Sequence, residues 1–398
     1  MSLVNLFGVT VVAFAVPFVL GFFPRFRIPA VVVELMVGMI VGPQVLGWIK
    51  PGPVVSVMSS LGVAFLLFLA GLELDLDALR GLPFRLGALG MALSIAIALA
   101  VTTLAGAAGL ILSPLLVTIA LCATSVGIVI PVLRDTGHLS TPIGLFTVAG
   151  GSVAEITTIA LLGVFFAGPK ASAGLEALLL AAIAVGAVIL VLGLRHVSRW
   201  TPGRRILDRL DDTSAQVRVR FAVMLLMGAA VVAVGSGFEA ILGTFLAGVV
   251  FGIVMKGDRF EHGLRTKLEA IGFGFFVPCF FITSGLRFDF AGLASINEWA
   301  RIAFFLLVLL LARGLPALLY RHHLTGREVA AAGLLQATNL SFIVVAVSVG
   351  RELGRLRDVN ASALIVAGLL SAAIFPAVAQ RLLGGTADGV VEEGVPSA

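Results

Sequence analysis

Thirteen long apolar stretches, separated by short polar or charged segments, run the length of the chain. They cover roughly 3–23, 28–48, 54–72, 84–111, 114–133, 141–167, 173–194, 219–235, 238–255, 269–286, 298–320, 328–350 and 358–382. About 20 apolar residues cross a bilayer as a helix, and inside hydrocarbon every backbone group needs an internal partner. No stretch alternates apolar and polar positions as a barrel strand does. The pattern predicts an all-α polytopic membrane protein with about 13 transmembrane helices. Pro43, Pro51 and Pro53 crowd the junction of the second and third spans. No small-residue cleavage site follows the first apolar run, so Leu3 to Phe23 reads as a retained span.

The pattern also repeats. Gly71-Leu72-Glu73-Leu74-Asp75 resembles Gly285-Leu286-Arg287-Phe288-Asp289, and Ala123-Thr124-Ser125 resembles Ala337-Thr338-Asn339, both at an offset of 214 residues. A third pair, Glu34-x3-Gly38 and Glu239-x3-Gly243, lies at an offset of 205. Each pair is seven spans apart. Seven is odd, so the second copy enters the membrane upside down. The reading is one transporter domain over 1–398: a first repeat at about 28–167, a linker span and loop at 173–218, a second repeat at about 219–382, and a disordered tail from 384 to 398.

Inverted repeats are the architecture of many secondary transporters, with the substrate site at the midplane on interrupted helices. Here the fifth span carries Thr124-Ser125-Val126-Gly127 with Pro131 after it, and the twelfth carries Gln336-Ala337-Thr338-Asn339-Leu340-Ser341. These predict two interrupted helices. The competing reading has the hydroxyls bonding back to their own helices or gluing one helix to the next.

Composition agrees with the apolar pattern: 59% of residues are hydrophobic and 12% charged, against about 25% charged in soluble domains. Basic residues set the orientation. Loops after odd-numbered spans, with the C-terminus, hold 19 of the 27 lysines and arginines; the other side holds seven, and Arg313 lies within a span. The N-terminus is therefore expected outside and the C-terminus in the cytoplasm, in a multi-pass protein of the inner (plasma) membrane. The net charge of +5 collects in loops as a topology signal, with no nucleic-acid partner implied. Cys122 and Cys279 lie in apolar stretches and read as small buried hydrophobes.

Glu155 is the only acidic residue between Ile143 and Ala167. A carboxylate in hydrocarbon is a functional-site hypothesis. It can hold a proton or ligate a transported monovalent cation. With Thr124, Ser125, Ser152, Thr338 and Asn339 it forms the candidate ion- and proton-binding set. Arg313 lies about 10 Å from the inner end of its span. It either snorkels to the surface or serves as counter-charge to Glu155; arginine keeps its proton, so it is not the proton carrier. Glu34, about 9 Å inside the second span, is a possible accessory group. All five histidines fall in loops or span ends, and no zinc-protease, hydrolase-elbow or Walker motif is present. No enzyme activity and no cofactor are expected.

Several segments together resemble the monovalent cation:proton antiporter-2 family. They are Glu34-Leu-Met-Val-Gly38-Met-Ile-Val-Gly42-Pro-Gln-Val-Leu-Gly47, Phe68-Leu-Ala-Gly-Leu-Glu-Leu-Asp75, Ala123-Thr-Ser-Val-Gly127 through Pro131-Val-Leu133, Gly237-Phe-Glu-Ala-Ile-Leu-Gly243-Thr-Phe-Leu-Ala-Gly248, and Ala312-Arg-Gly-Leu-Pro-Ala-Leu318. The resemblance runs from about residue 8 to 382. It implies a homodimeric antiporter with a dimerisation domain and a core domain, in which the fifth and twelfth spans cross. It also implies that Glu155 is the carrier, that Arg313 is the basic residue before the second crossover, and that access alternates by an elevator-like movement.

The sequence departs from the family in two places. Many members carry two polar groups at the carrier site, where this chain has Ala154-Glu155; the potassium-efflux relatives carry a C-terminal nucleotide-binding domain, which is not expected here. With one evident carrier, exchange of Na+ or K+ for H+ is expected to be electroneutral. The competing functions are proton-coupled transport of a small organic ion on the same fold, and a cation channel or sensor.

Overall fold

The computed structural model describes residues 2–22, 29–73, 81–166, 216–235, 240–255, 261–290 and 296–384, and every regular element among them is helical. The first half supplies α1 (Ser2–Gly21), α2 (Ala30–Val41), α3 (Pro53–Glu73), α4 (Gly81–Ala107), α5 (Pro114–Cys122), α6 (Val126–Asp135) and α7 (Pro142–Phe165). The second supplies α8 (Val217–Gly235), α9 (Ala240–Met255), α10 (Glu261–Ile271), α11 (Val277–Leu286), α12 (Ile296–Gly314), α13 (Gly326–Gln336), α14 (Ser341–Glu352) and α15 (Asp358–Leu383). A π-helical turn, Gly272–Phe276, joins α10 to α11 just before Pro278, which has no backbone N–H to give the preceding turn. A 3-10 segment, Leu315–Tyr320, extends α12 across Pro316.

Ten helices among the described residues are long and apolar enough to cross a membrane, counting α5 with α6 and α13 with α14. Two shorter apolar helices are α2 and Leu242–Ile253 within α9. The expected span 173–194, most of the linker, Glu239 and the tail beyond Gly384 lie outside the described residues. The second span is shorter than its apolar run of 28–48. Gly42-Pro43 ends α2 at Val41, and the chain turns back through Gly47 N–H to Gly42 O (2.7 Å) and Ile49 N–H to Val41 O (3.1 Å). The fifth and twelfth spans are broken where the polar clusters fall, at residues 123–125 and 337–340.

The chain forms two compact units, each drawing on both halves of the sequence. One comprises Met1–Pro24, Val33–Asp75 and Ile159–Phe288; the other comprises Arg25–Val32, Leu76–Thr158 and Asp289–Ala398. In the first unit, α2 packs on α11 and α9 packs on α3, backbone against backbone. Gly38 lies against Ile282 O, and a methyl group on Gly42 would fall 3.2 Å from Leu286 Cα. Gly248 lies against Phe68 O, and a methyl group on Gly252 would fall 3.1 Å from Leu72 O. Ile282 and Leu286 stand 214 residues after Phe68 and Leu72. The reciprocal contacts match as well. Gly285 meets Leu35 O and Met39 N, and Gly71 meets Phe245 O and Val249 N.

The two repeats therefore make the same packing with roles exchanged. This corrects one register: Gly38 and Gly42 correspond to Gly248 and Gly252, an offset of 210, whereas Gly243 packs on the Ala229 carbonyl of α8. Three glycines on one helix offered three short matches, and only the backbone contacts select among them. Phenylalanines fill the rest of this packing, with Phe65 and Phe276 stacked at 4.6 Å between ring centroids.

In the second unit, α13 begins with a capping box. Glu328 N–H donates to Thr325 Oγ1 (3.4 Å), and Thr325 N–H donates to Glu328 Oε2 (2.8 Å). A core of Val129, Leu133, Phe146, Leu335, Tyr320 and their neighbours lies beneath the two broken spans.

Candidate functional site

The two interruptions of the second unit meet, and each supplies what the other lacks. A helix end leaves backbone groups without intrahelical partners. At the first break Ala123 is extended, with ψ of 164°, and Ser125 is non-helical, with ψ of 85°. Ser125 N–H donates to Thr338 O (2.8 Å), and Thr124 Oγ1 donates to Gln336 O (2.6 Å). In return Asn339 Nδ2 donates to Ala120 O (2.7 Å), a carbonyl near the end of α5. Ser125 Oγ accepts from Leu340 N–H (3.1 Å) and Ser341 N–H (3.3 Å), so a serine from one repeat caps α14 in the other. Asn339 N–H donates to Ser371 Oγ on α15 (3.1 Å). Pro131 inside α6 adds a further missing backbone donor.

The breaks thus follow from local chemistry. Thr, Ser and Asn side chains offer the backbone partners outside the helical ladder. Here those partners come from the opposite span. One buried atom is left over: Asn339 is fully buried, and its Oδ1 has no hydrogen-bond donor among the described residues.

Arg313 is 1% exposed, which excludes snorkelling. Its Nε and Nη2 donate to Thr124 Oγ1 at 3.1 and 2.8 Å, Nη1 to Ser94 Oγ at 3.1 Å, and Nη2 to Gly150 O at 3.4 Å. Met91 Sδ lies 3.8 Å from Nη1. Among the described residues none of its hydrogen-bond partners is a carboxylate. A buried guanidinium is tolerated only when its donors are satisfied, and those of Arg313 are spent on oxygens from α4, α7 and the first break. Thr124 relays this contact onward: it accepts from Arg313 and donates to Gln336 O. Gln336 Nε2 then reaches Tyr320 Oη at 2.9 Å.

α7 approaches this cluster through two glycines. A methyl group on Gly150 would collide with Gln336 Nε2 and Tyr320 Oη; one on Gly151 would fall 2.9 Å from Val126 Cγ2. Ser152 is buried on the next position, and Ala154 packs with Met91, Ala98, Cys122, Val153 and Ala312. Glu155 follows, half-buried, about 6 Å along the helix axis from Gly151. Thr338 is buried and donates from Oγ1 to Leu334 O (3.1 Å).

The structure therefore brings Thr124, Ser125, Thr338, Asn339 and Arg313 into one hydrogen-bonded cluster, with Ser152 and Glu155 on the adjoining helix. Glu34 belongs to the other unit; it is 3% exposed, and its Oε2 has no hydrogen-bond partner among the described residues. The sequence reading places Gln336 in the polar cluster of the twelfth span but gives it no role, and it does not reach Ser94, Ser371 or Tyr320. A lone serine on an apolar helix carries no signal of its own. Tyr320 did carry one, as the only tyrosine in the chain. Cys122 and Cys279 are free and buried, as expected.

Residues 10–384 match the family model described as sodium/hydrogen exchanger, transmembrane. The chain is 27% identical over 397 residues to the putative Na(+)/H(+) antiporter YjbQ of Bacillus subtilis (strain 168), a match spanning 96% of this chain and 63% of that protein's length. It is 26% identical over 374 residues to the Na(+)/H(+)-K(+) antiporter GerN of Bacillus cereus, covering 89% of this chain and 90% of GerN. In fold it is similar to the sodium proton antiporter MjNhaP1 from Methanocaldococcus jannaschii, with a TM-score of 0.60 and 16% identity over 95% of this chain and 97% of that one.

Proposed function

The chain belongs to the sodium/hydrogen exchanger family, and from that premise we propose that it is a secondary active antiporter exchanging Na+ or K+ for H+. The observation that carries this reading is the meeting of two broken spans, which leaves a buried Asn339 Oδ1 without a donor among the described residues. A desolvated cation needs such oxygens. Relatives named as Na(+)/H(+) and Na(+)/H(+)-K(+) antiporters support the choice of substrates.

Glu155 is the carrier in this reading, alternating between a proton and the cation. Asn339 Oδ1, Ser152 and Thr338 supply neutral oxygens. Thr124 and Ser125 act by holding the break open, since their hydroxyls are already engaged with Arg313, Gln336 O and the start of α14. Arg313 fixes that frame and provides the positive charge that favours an ionised Glu155 when the cation leaves. Ala154 cannot titrate, so one proton exchanges for one monovalent cation and the cycle is electroneutral. The unit carrying the broken spans moves as the carrier in a homodimer. It sits in the plasma membrane with the N-terminus outside and the C-terminus in the cytoplasm.

The test is proton flux in proteoliposomes carrying an imposed pH gradient, with Li+, Na+, K+ and Rb+ added in turn. Cation-dependent dissipation by Na+ or K+ is the expected result. No response to any metal cation would overturn the reading in favour of an organic substrate. Strictly downhill cation flow without proton movement would point to a channel.

A further inference from the structure

A cavity of about 340 Å³ opens in the second unit where the end of α4 meets the beginnings of α12 and α15, among Leu110, Ile111, Ala300, Arg301, Phe304 and Asn360. Its volume falls in the roughly 300–1,000 Å³ range of ligand sites. The walls are apolar apart from Asn297, Asn360 and one fixed cation, Arg301. Arg301 Nη1 donates to Asn360 Oδ1 (2.8 Å), and the buried Asn360 donates from Nδ2 to Leu110 O (2.8 Å). The arginine is thereby held at the rim with most of its five donors unused by protein among the described residues. Arg357 lies nearby, its Nη1 on the carbonyl of Gly109, the residue before Leu110, at 3.1 Å. Asp358, the acid next to it, is occupied by Arg351 at 3.2 Å. No carboxylate is among the described lining residues.

Two further features place this rim at the depth of lipid head groups. Trp299, in the first turn of α12, is exposed, and exposed Leu307 lies two turns further along the same helix. Tryptophan favours the membrane–water boundary, with aliphatic side chains facing the hydrocarbon beyond it. We infer that this groove binds one anionic phospholipid, its phosphate on Arg301 and an acyl chain against Phe304. Guanidinium–phosphate contacts are charge-assisted and paired. A zwitterionic lipid offers the same phosphate together with a cation that Arg301 and Arg357 repel.

The test uses protein whose only tryptophan is Trp299 (Trp48→Phe, Trp200→Phe), reconstituted with phosphatidylglycerol or phosphatidylcholine brominated on the acyl chains. At equal mole fraction the brominated phosphatidylglycerol should quench Trp299 several-fold more, because its head group carries net negative charge whereas the choline cation is repelled by the arginine. Arg301→Ala should abolish the excess. Ala300→Phe, which keeps the arginine and fills the groove, should abolish it too. Equal quenching by both lipids would overturn the inference, as would an excess that survives both substitutions. Displacement of the lipid by excess glycerol 1-phosphate would assign the site to a free phosphate and overturn the lipid.

Discussion

The two units of this molecule use the same repeat in opposite ways. In the first, the copies are interchangeable. Gly38 and Gly42 meet Ile282 and Leu286 just as Gly248 and Gly252 meet Phe68 and Leu72, and every one of these contacts is backbone against backbone. In the second unit the copies diverge. Ser125 N–H crosses to Thr338 O, but the equivalent N–H, that of Asn339, turns to Ser371 Oγ. Arg313 has Leu99 at the position 214 residues earlier, and Glu155 has Leu369 at the position 214 later. Symmetric packing suits a scaffold, because it needs only close approach. An ion site needs one carboxylate, one cation and one free amide oxygen, so symmetry there would duplicate charges that cannot all be neutralised in hydrocarbon. On the proposed function, divergence between the repeats coincides with the residues assigned to the ion.

Arg313→Met should have the largest effect of any single change outside Glu155. It strips donors from Thr124, Ser94 and the Gly150 carbonyl, each a buried group costing about 1–3 kcal/mol when left unpaired. Exchange should vanish and the melting temperature in detergent should fall by several degrees. Leu99→Met, at the equivalent position of the other repeat, should cost less than about 1.5 kcal/mol and leave exchange intact. Similar losses in both would erase the asymmetry.

Gly38→Ala and Gly248→Ala sharpen the other half of the comparison. Each puts a methyl group against a helix carbonyl, Ile282 O or Phe68 O, and overpacking of this kind costs about 1–3 kcal/mol. Thermal melts should show equal losses. A large cost at one and none at the other would mean that the two copies are not equivalent.

Smaller effects should separate the two serines of the broken spans. Ser125→Ala removes the acceptor of two N–H groups, those of Leu340 and Ser341, whereas Ser371→Ala removes that of Asn339 N–H alone. Ser371→Ala should cost about 1 kcal/mol and Ser125→Ala more, both read from melting curves alongside exchange rates. The reverse order would weaken the idea that Ser125 caps the partner helix.

Much of this was legible in the sequence because hydrocarbon makes polar residues conspicuous. Glu155 and Arg313 were exceptions in apolar runs, and the Thr124-Ser125 and Thr338-Asn339 pairs declared both breaks. Glycine contacts were less legible. The recurrence of Gly243, Gly248 and Gly252 along α9 hid the true register, because identity of residue type says nothing about which face meets the neighbour. The end of α2 at Val41 was missed although Gly42-Pro43 signalled it, since the apolar run continues beyond the proline. The partners of Arg313 lay beyond reach. Ser94 and the Gly150 carbonyl come from α4 and α7, and no local pattern aims a serine or a carbonyl at an arginine some 160 to 220 positions away.

The carboxyls themselves give the most direct measurement. Two acids within apolar helices are the candidates to compare, Glu155 beside the broken spans and Glu34, buried in the other unit. Cation-driven proton flux should be compared in proteoliposomes holding wild type, Glu155→Gln or Glu34→Gln at matched, verified incorporation. The proposed mechanism predicts no exchange in Glu155→Gln and sustained exchange in Glu34→Gln. Wild-type flux in Glu155→Gln would contradict it, and loss of flux only in Glu34→Gln would move the carrier into the other unit.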